Sequence, residues 1–206
     1  LAISGVELTT DINKTTHSML NGAVCIHVNG HSQIVLAKIP ARESRGLSAP
    51  ENESQVIGSQ VGFNENLSTN ISLVRRYIVN PNLCNEKFRI GKQTNTSVSL
   101  LYVSGIASEE QVNTVRQRIS SIDVSDLIDS AILAELIEDS SISIFPQMLL
   151  TERPDRFCDG LLSGKVGIMV DGSSMGILCP QSFIEFFQSK EDSNLRWPVA
   201  TFVRLL

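Results

Sequence analysis

The sequence predicts a mixed α/β chain built from two similar small subdomains. Apolar residues alternate over short stretches that read as strands, and elsewhere recur at spacings of three and four that read as helices. One pattern also occurs twice. Gly22-Ala-Val-Cys-Ile-His-Val-Asn-Gly-His-Ser32 matches Gly164-Lys-Val-Gly-Ile-Met-Val-Asp-Gly-Ser-Ser174 at a constant offset of 142 positions, with Gly, Val, Ile, Val, Gly and Ser in common. The expected partition is 1–106 and 107–206, each an α/β subdomain with one helix–β-hairpin unit. How often the chain crosses between the two is left open.

Composition narrows the class. Hydrophobic residues are 42% of the 206 and charged residues 19%, against about 25% charged in an average soluble domain. That supplies a sizeable core and excludes a disordered chain. The net charge of −5, with 17 basic and 22 acidic residues and no basic stripe, argues against a nucleic-acid binder. No run approaches the roughly 18 apolar residues of a membrane-spanning helix. Cys25, Cys84, Cys158 and Cys179 form no C-x-x-C pair. Cys25 and Cys179 sit inside apolar stretches, where free cysteines act as small buried hydrophobes.

Taken in order, Asp11 to Leu20 reads as a helix ended by Gly22. Val24, Ile26 and Val28 then form one face of a strand that reaches Asn29-Gly30, a pair suited to a tight hairpin turn, and Ile34 to Ile39 return. The polar stretch Ala41 to Ser54 reads as a loop. Leu67, Ile71, Val74 and Ile78 define a helix that cannot continue through Pro81. Val98 to Val103 reads as a buried strand. Ser108-Glu-Glu-Gln111 is a capping-box pattern opening a helix with Val112, Val115, Ile119 and Ile122 on one face. A second helix carries Ile128, Ile132, Leu133, Leu136 and Ile137, and a strand falls near Gln147 to Thr151. Pro154 to Leu162 is a short helix with Pro at its first position, followed by the second hairpin, Val166 to Leu178, and a helix over about Gln181 to Phe187.

Three patterns look chemical. Gly172-Ser-Ser-Met-Gly176 fits G-x-S-x-G, but it straddles a hairpin turn and no His follows it, so Ser174 is not expected to be a nucleophile. Cys25, His27 and His31 lack a fourth ligand nearby for a zinc site. Charged clusters carry more weight: Glu53, Glu65, Arg75 and Arg76 bracket one helix, and Thr151-Glu-Arg-Pro-Asp155 opens another. In a chain this poor in charge they read either as ion pairs locking a hinge or as groups for a zwitterion, with Arg gripping a carboxylate and an acid holding an ammonium. The candidate ligand-binding or hinge residues are Glu65, Asn70, Arg75, Thr151, Arg153 and Asp155. No catalytic residue, metal or cofactor is expected. The chain opens at Leu1 without Met and closes on Trp197-Pro-Val-Ala-Thr-Phe-Val-Arg-Leu-Leu206, so it reads as a piece of something longer. That closing run fits a membrane–water interface or a packed terminal helix equally well.

Several blocks resemble the A subunits of GerA-type spore germinant receptors. Glu53 to Arg76 is similar to their central motif, and Phe145-Pro-Gln-Met-Leu-Leu-Thr-Glu-Arg-Pro-Asp155, Gly172 to Pro180 and Phe183-Ile-Glu-Phe-Phe187 resemble later blocks in the right order. Ser59 replaces a common proline, and Ser193-Asn194 a tyrosine-rich pair. The resemblance implies a spore inner-membrane protein whose soluble amino-terminal domain, facing the spore core, precedes transmembrane helices. It implies a transporter-like B subunit and a lipoprotein C subunit as partners. It also implies two α/β lobes arranged similarly to substrate-binding proteins. Such a domain would bind or relay a small germinant, an amino acid or sugar. The alternative is an assembly and coupling domain that oligomerises and transmits a signal from the B subunit.

Overall fold

The computed structural model describes residues 5–38, 61–138 and 148–180. The expected loop Ala41 to Ser54, the helix near Gln181 to Phe187 and the closing aromatic–basic run lie outside the described residues. The elements are β1 (Val6–Thr9), α1 (Ile12–Leu20), β2 (Ala23–His27), β3 (Ile34–Lys38), α2 (Leu67–Tyr77), β4 (Leu83–Ile90), β5 (Thr96–Val103), α3 (Glu109–Ser121), α4 (Ser130–Ile137), β6 (Leu149–Thr151), α5 (Pro154–Leu162), β7 (Val166–Val170) and β8 (Gly176–Cys179). They build a three-stranded sheet of order β1-β3-β2 and a five-stranded sheet of order β4-β5-β7-β8-β6, antiparallel throughout.

The repeat is longer than the hairpin that reveals it. A strand, a helix and two strands (β1-α1-β2-β3) recur as β6-α5-β7-β8, and the pairing register is the same at the offset of 142. Thr9 faces Ile34 as Thr151 faces Gly176, and Val24 faces Ala37 as Val166 faces Cys179. The details of the connections match too. The Thr9 hydroxyl accepts from the Asp11 N–H (3.1 Å), and the Thr151 hydroxyl accepts from the Arg153 N–H at the same distance. The hairpin turns are not two-residue loops. His31 N–H donates to the Val28 carbonyl and Ser173 N–H to the Val170 carbonyl, with positive φ only at Gly30 (+89°) and Gly172 (+90°). That is the arrangement of a type II turn, which needs glycine at its third position.

The five-stranded sheet has helices on both faces. Val98, Leu100, Val166, Ile168 and Ile177 are buried with Val112 and Ile119 of α3 and Leu133 and Ile137 of α4. The opposite face buries Leu101, Val103, Met169 and Leu178 with Leu73 and Val74 of α2 and Phe157 and Leu161 of α5. Each such side chain contributes about 1.5–3 kcal/mol on leaving water, which is why β7 and the second half of β5, Leu100 to Val103, read as apolar runs rather than as alternations. Phe157 meets Phe63 edge-on at 5.5 Å. A Cβ on Gly167 or Gly176 would collide with its ring, so the bulk of the helix residue is matched by missing side chains below it.

Strand pairing does not divide the chain at 106/107. β5 precedes that position and β7 follows it, yet Val98 pairs with Val170 and Leu101 with Gly167. The three-stranded sheet takes residues 6–38 and the five-stranded sheet residues 83–179. Two other expectations change locally. Ser108 is the N-cap of α3 but makes no side-chain capping bond; Glu109 and Glu110 place acidic charge in the first turn. Ile128 lies outside α4, whose N-cap is Asp129.

Candidate functional site

The expected site residues fall at three places. Asn70 is buried on α2, where its Oδ1 accepts from the Asn64 N–H (3.0 Å) and its Nδ2 donates to the Asn64 carbonyl (2.6 Å). Nearby, the Glu65 carbonyl accepts from the Gly172 N–H (2.8 Å). The first turn of α2 is completed from a distance. Asn66 caps Thr69 N–H, and Asp171 Oδ1 accepts from Leu67 N–H at 3.1 Å, satisfying donors that a helix leaves open.

Thr151, Arg153 and Asp155 come together at the start of α5. Arg153 donates through Nε to Asp155 Oδ1 (3.1 Å) and through Nη2 to Oδ2 (2.5 Å). Arg153 is only 5% exposed, and this two-pronged contact neutralises a charge that would otherwise be costly to bury. Phe63 N–H donates to the Glu152 carbonyl at 2.8 Å, so the starts of α2 and α5 are stitched together. Five of the six expected residues thus belong to a junction between two helices, with Asn70 and Arg153 engaged within it.

Arg75 is placed elsewhere, at a polar cavity of about 770 Å³ between α2 and the β4–β5 hairpin. On the β4 face turned to α2, Leu83 is followed by Asn85, Lys87 and Arg89, paired with Leu101, Ser99 and Ser97 of β5 in turn. These four polar positions, Asn85, Lys87, Arg89 and Ser99, were not singled out from the sequence. The available signal was polar residues at both phases of β4 and serines alternating with apolar residues in β5. Ser99 is fully buried, and among the described residues neither its Oγ nor Asn85 Oδ1 has a hydrogen-bond partner. Arg89 Nη1 donates to the Asn95 carbonyl (2.9 Å). Among the described residues Arg75 and Lys87 form no hydrogen bond or ion pair through their side chains.

A second polar group ties β4 to α3 on the other face of the sheet. Arg116 donates through Nε and Nη2 to the Glu86 carboxylate (2.7 and 2.6 Å), and Tyr102 Oη donates to Glu86 Oε1 (2.8 Å). The guanidinium bonds hold the Glu86 carboxyl below its usual range. The carboxylate, with some burial, pushes the Tyr102 phenol up to about 12. Among the described residues no three His, Cys, Asp or Glu side chains converge as a metal site, and His27 Nε2 lies 3.0 Å from the His31 carbonyl oxygen instead.

Fold and site together define a mixed α/β domain with a three-stranded and a five-stranded sheet and a polar cavity beside the larger one. The crystal structure of the N-terminal domain of the A subunit of the Bacillus megaterium spore germinant receptor GerK3 superposes with a TM-score of 0.64 at 30% identity, over 87% of this chain and 64% of that one. The family model described as Bacillus/Clostridium GerA spore germination protein matches residues 1–206, and the chain belongs to that family. Spore germination protein KA of Bacillus subtilis is 37% identical and spore germination protein GerQA of Bacillus cereus 35% identical, each over all of this chain. The chain spans 38% and 42% of the length of those two relatives. Among the described residues no helix is long and apolar enough to cross a membrane.

Proposed function

We propose that this chain is the sensing part of a spore germinant receptor A subunit at the spore inner membrane, on the spore-core side. A small germinant, an amino acid or sugar, enters the cavity between α2 and the β4–β5 hairpin. Its binding biases how α2 sits against α5, and the partner subunits, a transporter-like B subunit and a lipoprotein C subunit, respond. The observation that carries this reading is the unpartnered, fully buried Ser99 hydroxyl at the floor of a cavity, since buried polar atoms are nearly always hydrogen-bonded. Modest affinity suffices: a Kd near 1 mM corresponds to only about −4 kcal/mol. What matters is that the ligand prefers one arrangement of the helices over the other.

A coupling role without a ligand is the second reading, favoured by the buried Arg153–Asp155 pair, which already satisfies the groups best suited to a zwitterion. Titrating the chain with amino acids and sugars and following backbone amide shifts separates the two. Shifts clustered at α2, β4 and β5 support sensing; a spectrum unmoved by about 10 mM of every compound, well past the 1 mM scale, leaves coupling in its place.

A further inference from the structure

We propose that the α2–β4–β5 cavity takes a small carboxylate whose neighbouring carbon carries a hydrogen-bond donor, an α-hydroxy or α-amino acid of net negative charge. This rests on the reading of the cavity as a small-molecule site and names the ligand class.

The layer between α2, α5 and the sheet changes character along its length. Around Phe157 it is packed with apolar side chains, whereas toward Arg89 the same face of the sheet is polar and hollow. Apolar side chains at these positions would have extended the core, so the polar set makes the cavity unlike a packing defect, which is lined by apolar groups and stays dry.

Its charge is one-sided. Among the described residues Arg75, Lys87 and Arg89 face a single lining carboxylate, Asp171, in a chain of net charge −5. One Asp171 oxygen is already engaged by Leu67 N–H. Lys87 stands directly across the strand pair from Ser99, within the roughly 5 Å that separates such neighbours, so one ligand group can meet both. An arginine fork and an ammonium suit a carboxylate better than a neutral polyol. Asn85 Oδ1 lacks a donor, and it can accept from a hydroxyl or ammonium next to the carboxylate, while the Ser99 hydroxyl donates to a carboxylate oxygen.

The test is a titration of the chain, by calorimetry and amide shifts, with L-malate, L-aspartate, succinate, glucose and inorganic phosphate. L-malate and L-aspartate bind, with shifts at Ser99 and Asn85, and succinate, lacking the donor, binds several-fold more weakly. Arg75→Ala and Lys87→Ala each weaken malate by about tenfold or more, as loss of a charge-assisted contact does, and added salt weakens it further. Ser99→Ala, which removes one buried atom and retains the fold, weakens it several-fold. Glucose binding at these residues with no response to malate or aspartate overturns the ligand class and leaves the sensing reading standing. Phosphate binding as tightly as malate reduces the cavity to a simple anion patch and overturns the proposal. No response to any probe by a folded chain overturns both. An unchanged malate affinity in Ser99→Ala overturns the proposal, which has that hydroxyl donate to the carboxylate.

Discussion

Ile26 and Ile168 occupy the same place in two copies of one fold unit, Ile26 paired with Val35 and Ile168 with Ile177. Ile168 is fully buried, and Ile26 is 50% exposed. In the second copy β5 continues the sheet beyond β7, and α3 and α4 cover the face that holds Ile168. In the first copy, β2 is an edge strand and Leu8, Val24 and Ile26 stand exposed on the matching face. On the helix side the residues have traded size and charge. Thr15 occupies the position of Phe157, Cys25 and Ile34 those of Gly167 and Gly176, and Glu7 replaces Leu149 and pairs with Lys14. A shared backbone register therefore does not require a shared core; it is held by turns, caps and pairing while the packing diverges.

The largest difference is expected at that isoleucine pair. Ile168→Ala costs about 2–5 kcal/mol in denaturant unfolding, as for other buried aliphatic truncations; Ile26→Ala costs less than about 1 kcal/mol. Equal losses would break the contrast. The N-cap positions come next. Arg153→Ala removes one side of a largely buried pair and costs about 1–3 kcal/mol, between the values for buried and exposed pairs. Asp11→Ala removes a side-chain cap to Asn13 and Lys14 N–H and costs about 1 kcal/mol.

A smaller effect is confined to the strand pair that flanks the second copy. The folded-state pKa of Glu86 is lowered, so its stabilising contribution is present above the unfolded value near 4.5 and is lost as pH falls through the folded value. Glu86→Gln flattens that acid dependence, read as midpoint against pH. The smallest effect concerns reactivity alone. Burial pushes the Cys179 thiol up to about 12, which leaves on the order of one thiolate in ten thousand at pH 8. Mass spectrometry after brief thiol labelling at pH 8 finds half-buried Cys25 and Cys84 modified and Cys179 intact until the chain unfolds.

Much of the fold was legible because its signals are local. The helix α5 is announced by Pro154, and the buried strand β5 by its apolar run. The repeat was legible from the match between Gly22 and Ser32, although the strands β1 and β6 complete it with only four and three residues. What escaped is non-local. β4 has polar residues in both phases because one face lines a cavity and the other meets Arg116, so neither alternation nor an apolar run marks it. The expected boundary at 106 left the crossings between subdomains open, and β5–β7 pairing, which spans that position, needed the strand register to be seen. In the site, Arg75 was visible as a charge in a charge-poor chain. Lys87, Arg89 and Ser99 needed the strand register to come together.

The pairing of β5 with β7 has a consequence for how the chain acquires its structure. Leu100 and Ile168 are neighbours in the sheet but lie 68 residues apart along the polypeptide. During synthesis the β4–β5 hairpin leaves the ribosome well before the strand that completes it, while β1 through β3 pair, among the described residues, only with one another. Long-range pairings of this kind are slow to close, and an incomplete sheet edge invites association with other chains meanwhile. The early unit can therefore mature on its own schedule, whereas everything from β4 onward must wait for the last strands to arrive.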